Sequence, residues 1–188
     1  MKRYEGNGYA VKAIVTAILA HQGIFLEGDP GSAKTKMLRD ILTGEFGESH
    51  VGMLQTQKAT RIGMATGHPN IEAEIMRGER MMEPARSLID PNTKAVIIDE
   101  FNGATEPFVA ALLGISNPYE RTVRYGSSSN KTNIQFFSAT SNKTIGDLID
   151  AIHERNPASK THEVFLARLS HVVHMINKFA TPGDLVKE

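Results

Sequence analysis

The sequence predicts an α/β fold in which helices cover a mostly parallel sheet. Short apolar runs rich in β-branched residues, such as Ala95–Ile98, are typical of strands buried on both faces. Apolar residues between Val11 and Leu19 recur at helical spacing, which predicts an amphipathic helix packed on a core. Helical segments alternate with strands along the chain, which is the order expected for a parallel sheet.

The individual elements follow from their boundaries. A helix should begin at Ala33, after a glycine-rich turn, and run to Leu42 before ending near Gly44. A second helix should cover Thr105–Leu113, and the segment GSSSN after Tyr125 is typical of a hairpin turn. We expect a five-stranded sheet and a small β-hairpin, from the strands Gly23–Glu27, Val51–Thr56, Ala95–Ile98, Arg121–Tyr125, Ile134–Ser138 and Ser170–Ile176.

The composition is that of an ordinary globular domain. The 188 residues include 40% apolar residues, and 21 basic residues balance 21 acidic ones, so no net field attracts nucleic acid or an anionic membrane. The absence of cysteine excludes disulfides and thiolate metal sites. The apolar run Ala13–Ala20 is too short to cross a bilayer, and Lys12 interrupts a secretory-signal pattern. We therefore expect one cytoplasmic domain over residues 1–188.

Residues 28–35 read GDPGSAKT and follow a short apolar run, which is the setting of a phosphate-binding loop. Gly28 and Gly31 allow successive N–H groups to turn inward as an anion-binding nest, and the next helix adds its positive N-terminal dipole. Lys34 is expected to reach the β- and γ-phosphates, and the Thr35 hydroxyl to coordinate Mg²⁺. The alternative is a glycine-rich turn with an incidental Lys-Thr pair. The expected nucleotide-binding residues are Gly28, Asp29, Pro30, Gly31, Ser32, Ala33, Lys34 and Thr35.

Alanine occupies position 33, where the pattern G-x-x-x-x-G-K-[ST] has its second glycine. Because this position opens a helix, we expect a negative φ at Ala33, which a residue with a β-carbon can adopt. A single methyl group is also the smallest side chain after glycine. The sequence therefore predicts that alanine here is compatible with nucleotide binding.

Two further strands are expected to bring polar groups to the same edge of the sheet. Asp99 follows an apolar run and is expected to hold Mg²⁺ directly or through water. Glu100 would then orient and deprotonate the attacking water. Asn142, at the end of IQFFSATSN, could hold that water or a γ-phosphate oxygen. Alone, the acids could be solvated caps and Asn142 a turn residue, but the loop beside them favours a site.

Four segments, in this order, resemble AAA+ ATPases of the MoxR type, including the RavA-like branch: GDPGSAKT, IIDEFNGAT, ERTVRYG and FFSATSN. The resemblance extends from about Ala10 to Met175. It implies that residues 28–35 are the Walker A loop and that Asn142 is sensor 1, with Walker B at 99–100. It also implies ATP and Mg²⁺ as ligands, a homo-oligomeric ring that is hexameric in the family, and remodelling or maturation of a protein client.

The segment HEVFLARLSHVV resembles the stretch of that family that contains an arginine finger. The resemblance makes Arg168 the residue expected to enter the site of a neighbouring subunit. Arg155 and Arg124 are alternatives, and Arg168 could instead be an ordinary surface arginine. Two positions depart from the family: Ala167 stands where aspartate is usual, and Gly103 where arginine is usual.

Other expectations concern regions outside the core. Residues 58–87 look like the helix-2 insert of this clade, which faces the pore of the ring and could touch a client. The chain ends about a dozen residues after the last expected strand, where the family has a helical lid. The resemblance therefore implies either the nucleotide-binding core of a longer protein or a form that naturally has no lid.

Two other functions stay open on the sequence. A small P-loop kinase would suit the chain length, although such an enzyme needs no glutamate after its Mg²⁺-binding aspartate. A nucleotide-sensing module would bind ATP and turn it over negligibly. The seven histidines lack the spacing of a zinc site.

Overall fold

The structure is a computed structural model, and it describes residues 7–56, 68–69, 82–83, 88, 90–117, 119–125, 128–155, 160–169 and 171–175. The strands are Ile24–Gly28 (β1), Val51–Gln55 (β2), His68–Pro69 (β3), Met82–Glu83 (β4), Ala95–Asp99 (β5), Thr122–Tyr125 (β6), Ser128–Lys131 (β7), Phe136–Ser141 (β8) and His171–Met175 (β9). Five of them form the main sheet in the order β2-β5-β8-β1-β9, and every neighbouring pair in it is parallel. The predicted α/β fold is confirmed.

Helices cover both faces of this sheet. They are Gly8–Leu19 (α1), Lys34–Phe46 (α2), Glu106–Ser116 (α3), Ile145–Arg155 (α4) and Thr161–Ala167 (α5). Because successive strand residues point to opposite faces, Phe25 joins the core beside α3 and α5, whereas Ile24 and Leu26 join the core beside α1 and α2. Strands buried on both faces explain the uninterrupted apolar runs in the sequence.

Several boundaries differ from the prediction. α2 continues through Gly44 to Phe46 and ends at Gly47, whose φ of 87° lies in the left-handed region that terminates helices. Gly44 is therefore an ordinary helical residue, and the predicted end of this helix was too early. β8 begins later than predicted and continues to Ser141, because its polar last residues are buried like the apolar ones before them.

The remaining expectations concern the small elements. β6 and β7 pair in an antiparallel ladder, which confirms the predicted hairpin, but Ser128–Asn130 of the expected turn GSSSN belong to β7. The expected insert at residues 58–87 lies outside the described residues, except for the short antiparallel ladder between β3 and β4. Residues 176–188, where a lid would follow, also lie outside the described part of the chain. None of the described helices is long and apolar enough to cross a membrane.

Candidate functional site

The expected phosphate-binding loop joins the carboxyl end of β1 to the first turn of α2. Gly28 has a φ of 140°, and a β-carbon there would lie 2.1 Å from the carbonyl oxygen of Met175 on β9. Only glycine fits such a close approach between two strands. Gly31 has a φ of 82°, which again favours glycine. The two glycines therefore hold the sharp reversal with which the loop leaves the sheet.

Ala33 has a φ of 63° and a ψ of 22°, in the left-handed region, and α2 begins one residue later at Lys34. The predicted negative φ is wrong. The loop reverses direction before it enters the helix, and this residue makes the last turn of that reversal. The left-handed conformation costs an alanine roughly 1–2 kcal/mol, which explains why the pattern has glycine here. Alanine is therefore accommodated with backbone strain rather than without cost.

Lys34 is buried within the loop, with 6% of its surface exposed. Its Nζ lies 2.8 Å from the carbonyl oxygen of Gly28, 2.9 Å from that of Asp29, 3.2 Å from Ser32 Oγ and 3.0 Å from Asn142 Oδ1. Burial lowers the pKa of Lys34, an effect that nearby Asp29 opposes. All four acceptors are uncharged, so the loop holds a cation at its centre that an anion could neutralise.

The Asp99 carboxylate accepts three hydrogen bonds, all at Oδ1. Thr35 Oγ1 donates to Asp99 Oδ1 at 2.6 Å, and the Thr140 hydroxyl on β8 donates to the same oxygen. The backbone N–H of Glu100 also donates to it at 3.1 Å. A hydroxyl and a carboxylate in contact beside a phosphate-binding loop are the protein oxygens that Mg²⁺ takes alongside nucleotide phosphates. Thr35 and Asp99 therefore fit a Mg²⁺ site.

Glu100 has a φ of 55° and a ψ of 45°, which is unusual for a residue with a long side chain. Its backbone carbonyl accepts a hydrogen bond from the Thr56 hydroxyl, and its Oε2 accepts one from Gln55 Nε2 at 3.1 Å. Gln55 is the last residue of β2 and Thr56 follows it, and β2 is the strand next to β5. Such strained conformations cluster at functional sites, because the surroundings must hold them in place.

Eight of the predicted residues line one cavity of about 300 Å³ at the carboxyl edge of the sheet. The structure thus brings together the loop after β1, the acids after β5 and the amide after β8. Gly28, Asp29 and Ser32 are not lining residues of the cavity, but each accepts a hydrogen bond from the Lys34 ammonium. The cavity is lined by Pro30, Gly31, Ala33, Lys34, Thr35, Lys36, Asp99, Glu100 and Asn142.

Arg168 is not part of this cavity. It follows α5 and precedes the amino end of β9, whereas the loop follows the carboxyl end of the parallel strand β1. Its guanidinium donates to the carbonyl oxygen of Leu113 in α3. A strand of five residues separates the two edges by about 13 Å, so Arg168 cannot reach its own loop. The side chains of the alternatives Arg124 and Arg155 lie outside the described part of the structure.

Three residues of the site were missed in the sequence: Gln55, Thr56 and Thr140. Gln55 and Thr56 hold Glu100, and Thr140 holds Asp99. Polar residues at the carboxyl ends of neighbouring strands were the available signal, since Thr56 follows β2 and Thr140 lies near the end of β8. Asp99 and Asn142 carry the same signal at the ends of β5 and β8.

The sequence matches no protein-family profile and no curated protein. Solved structures do match. A crystal structure of a proposed ATPase from Cytophaga hutchinsonii is 18% identical with a TM-score of 0.54, and the match covers 92% of this chain and 47% of that one. A closed state of Hsp104 with ATPγS and FITC-casein is 15% identical with a TM-score of 0.65, and the Hsp104–ADP complex from S. cerevisiae is 14% identical with a TM-score of 0.59.

These likenesses define the class of fold. Both Hsp104 matches cover 92% of this chain and 33% of the Hsp104 chain. This chain therefore spans about half the length of the Cytophaga protein and about a third of the length of Hsp104. The parallel five-stranded sheet between helices, with its strand-loop-helix unit at β1, is a P-loop NTPase fold, which the chain shares with the matched ATPase and Hsp104 structures. At these identities the likeness concerns the fold alone.

Proposed function

We propose that this chain is the nucleotide-binding core of a Mg²⁺-dependent ATPase of the AAA+ type, similar to the MoxR and RavA-like proteins. The observation that supports this most is that Lys34, Thr35, Asp99, Glu100 and Asn142 line one cavity although they come from three separate parts of the chain. A glycine-rich turn without a ligand has no need of a buried ammonium ion surrounded by neutral acceptors. Such a turn would also not require the polar residues Asp99 and Asn142 at the neighbouring strand ends.

In this proposal each residue of the site has a distinct task. The backbone N–H groups of the loop and the Lys34 ammonium bind the β- and γ-phosphates of ATP. Asn142 holds the attacking water or a γ-phosphate oxygen, and Glu100 accepts a proton from that water as its oxygen bonds to the γ-phosphorus. The bond from this phosphorus to the β–γ bridging oxygen breaks, which releases ADP and phosphate.

Mg²⁺ belongs to the same proposal. Thr35 and Asp99 would hold it, and the ion would neutralise charge that develops on the phosphate oxygens. The 2.6 Å contact between the Thr35 and Asp99 oxygens supports this assignment, because two oxygen donors of the kind that Mg²⁺ binds lie side by side next to the loop.

The position of Arg168 supports action between subunits. Since its guanidinium lies at the sheet edge opposite the loop, it could act only on a nucleotide held by another copy of the chain. We therefore propose a homo-oligomeric ring, hexameric by analogy with the MoxR type, in the cytoplasm. One matched structure was solved with FITC-casein, and by analogy we propose that a protein partner is remodelled or matured.

The deciding experiment measures ATP binding and phosphate release separately. Two lysines are among the described residues that line the nucleotide cavity, and Lys36 is exposed. Lys34→Ala should abolish ATP binding, because it removes the buried ammonium group from this cavity. Glu100→Gln should keep binding and lower turnover by about 10²–10⁴-fold. Lys12→Ala is the matched control, because Lys12 is exposed on α1 and does not line the nucleotide cavity.

Three outcomes separate the functions. Loss of turnover in Glu100→Gln with ATP still bound supports an ATPase. Tight ATP binding by the unaltered chain, with no turnover in the presence of Mg²⁺, would instead identify a nucleotide-sensing module. Unchanged ATP binding in Lys34→Ala would contradict both.

A further inference from the structure

A second cavity, of about 630 Å³, lies beside the nucleotide cavity, and Glu100 lines both. Its volume is in the range of sites that enclose small organic molecules. It lies between the short helical turn Phe101–Gly103, the start of α3, and the helices α4 and α5. The tasks proposed for the phosphate-binding loop leave this cavity without a role.

The lining combines an apolar floor with an acidic rim. Phe101 and Leu148 are buried, with 2% and 5% of their surfaces exposed, and half-buried Ile152 extends the same apolar wall. Two carboxylates, Glu100 and Glu106, line the cavity against one lysine, Lys143. Apolar walls with a few directed polar groups are typical of small-molecule sites. The excess of carboxylates favours a positively charged occupant.

His162 contributes a further acceptor. It lines the cavity with 6% of its surface exposed, and burial lowers its pKa, which favours the neutral ring. Its Nε2 lies 3.4 Å from the carbonyl oxygen of Ala104, whereas its buried Nδ1 has no hydrogen-bond partner among the described residues. With the proton on Nε2, Nδ1 has a free lone pair. Buried polar atoms are rarely left without a partner, so this acceptor stands unsatisfied by the described residues in the wall of the cavity.

We propose that this cavity binds a small organic cation with an apolar body, whose N–H groups face Glu100 and Glu106. The apolar body covers Phe101, Leu148 and Ile152, which line the same cavity as the two carboxylates. Because Glu100 lines both cavities, a cation paired with its carboxylate holds that group away from the attacking water, so the occupant lowers turnover. The binding site stands without the proposed ATPase function, whereas this effect on turnover rests on it.

The test uses benzamidine as the cation and benzamide as its neutral match in shape. Binding to the full chain without nucleotide is measured by ligand-observed NMR titration. Benzamidine should bind saturably, and benzamide at least about tenfold more weakly, because it lacks the charge. Glu106→Gln should weaken benzamidine binding by a similar factor while keeping the shape of the side chain, which also accepts a hydrogen bond from Thr161 Oγ1 at 3.2 Å.

A filling variant locates the site. Ala151 lines the cavity from α4, so Ala151→Phe should abolish benzamidine binding. Ala110→Phe adds the same side chain at an exposed position of α3 and should leave binding unchanged. Failure of benzamidine to bind, or equal binding by Ala151→Phe, would overturn the proposed site. Equal binding of benzamidine and benzamide would overturn the cationic ligand class.

The effect on turnover is a separate measurement. Saturating benzamidine should lower ATP hydrolysis by the unaltered chain and leave Ala151→Phe unaffected. Saturable binding without a change in turnover overturns the coupling to Glu100. Binding to a chain that hydrolyses no ATP leaves the cation site supported and the ATPase proposal refuted, so the two failures are distinguishable.

Discussion

Lys34 and Asn142 are 108 residues apart in the chain, yet Lys34 Nζ lies 3.0 Å from Asn142 Oδ1. The contact follows from the pairing of β1 with β8, in which Leu26 is opposite Thr140 and Glu27 opposite Ser141. Residues that follow two parallel neighbouring strands therefore emerge side by side. The amide is one of the acceptors that hold the lysine, so a bound γ-phosphate must share the ammonium with it or displace it.

Asn142→Asp should weaken ATP binding at least about tenfold, because a carboxylate at this position pairs with Lys34 and repels the phosphates. Asn142→Ala should weaken binding less, since it removes an acceptor without adding charge. Titration with a fluorescent ATP analogue measures both. Asn92→Asp adds the same charge at an exposed position outside the cavity and should leave affinity unchanged. Equal affinities for Asn142→Asp and the unaltered chain would contradict the placement of the γ-phosphate.

Ala33→Gly should stabilise the protein. The left-handed φ of 63° costs alanine roughly 1–2 kcal/mol in the folded state, and glycine removes this cost. Glycine also lowers the free energy of unfolding by about 0.4–1 kcal/mol, because it gives the unfolded chain more conformational freedom. We expect the free energy of unfolding to rise by about 0.5–1 kcal/mol in urea titrations. Ala110→Gly is the control, because it puts glycine at an exposed position in the interior of α3 and should destabilise by about 0.5–1 kcal/mol. A loss of stability in Ala33→Gly would show that the strain at this position is not released by glycine.

Arg168→Ala should stop ATP turnover and leave ATP binding intact, because the residue cannot reach its own loop. An arginine finger accelerates turnover by about 10³–10⁵-fold in other nucleotide hydrolases. Mixing Arg168→Ala with Lys34→Ala should restore activity, since about a quarter of randomly paired interfaces combine an intact loop with an intact arginine. Absence of recovery on mixing would refute the finger assignment, provided that thermal unfolding shows both variants folded.

His162 should make the protein less stable in mild acid. Burial lowers the pKa of this ring from its ordinary value of 6.5. Between the lowered pKa and 6.5, the unfolded chain binds a proton that the folded chain does not, so the free energy of unfolding falls as the pH falls. The contribution of one such group reaches at most about 1.4 kcal/mol per pH unit.

His162→Phe keeps an aromatic ring beside Phe101 and removes the titrating group. We expect a flatter dependence of the free energy of unfolding on pH below 6.5, measured by urea titration at several pH values. His153→Phe, at an exposed histidine that pairs with Glu163, is the control for loss of a histidine. Equal pH dependence in His162→Phe and the unaltered protein would show that this ring titrates as freely in the fold as outside it.

Local sequence order was sufficient for the class of fold and most of the site. A strand, a glycine-rich turn and a lysine at the start of a helix are consecutive in the chain, so the loop at residues 28–35 could be read directly. The strand end at Asp99 was visible because β5 is apolar up to that residue, and Asn142 was visible because it closely follows the apolar start of β8, although the last residues of β8 are polar. Their convergence also follows from the rule that parallel strands end at one edge.

Only the tertiary structure decided the finer features. The positive φ of Ala33 depends on how the loop closes around its own centre, and no propensity of alanine indicates it. The hydrogen bond from Gln55 to Glu100 requires β2 to pair with β5, which is a long-range choice of strand order. The position of Arg168 opposite the loop, and the cavity shared with Glu100, likewise depend on packing between elements distant in the chain. Such contacts have no local sequence signal, because their energy comes from partners that only the folded chain brings together.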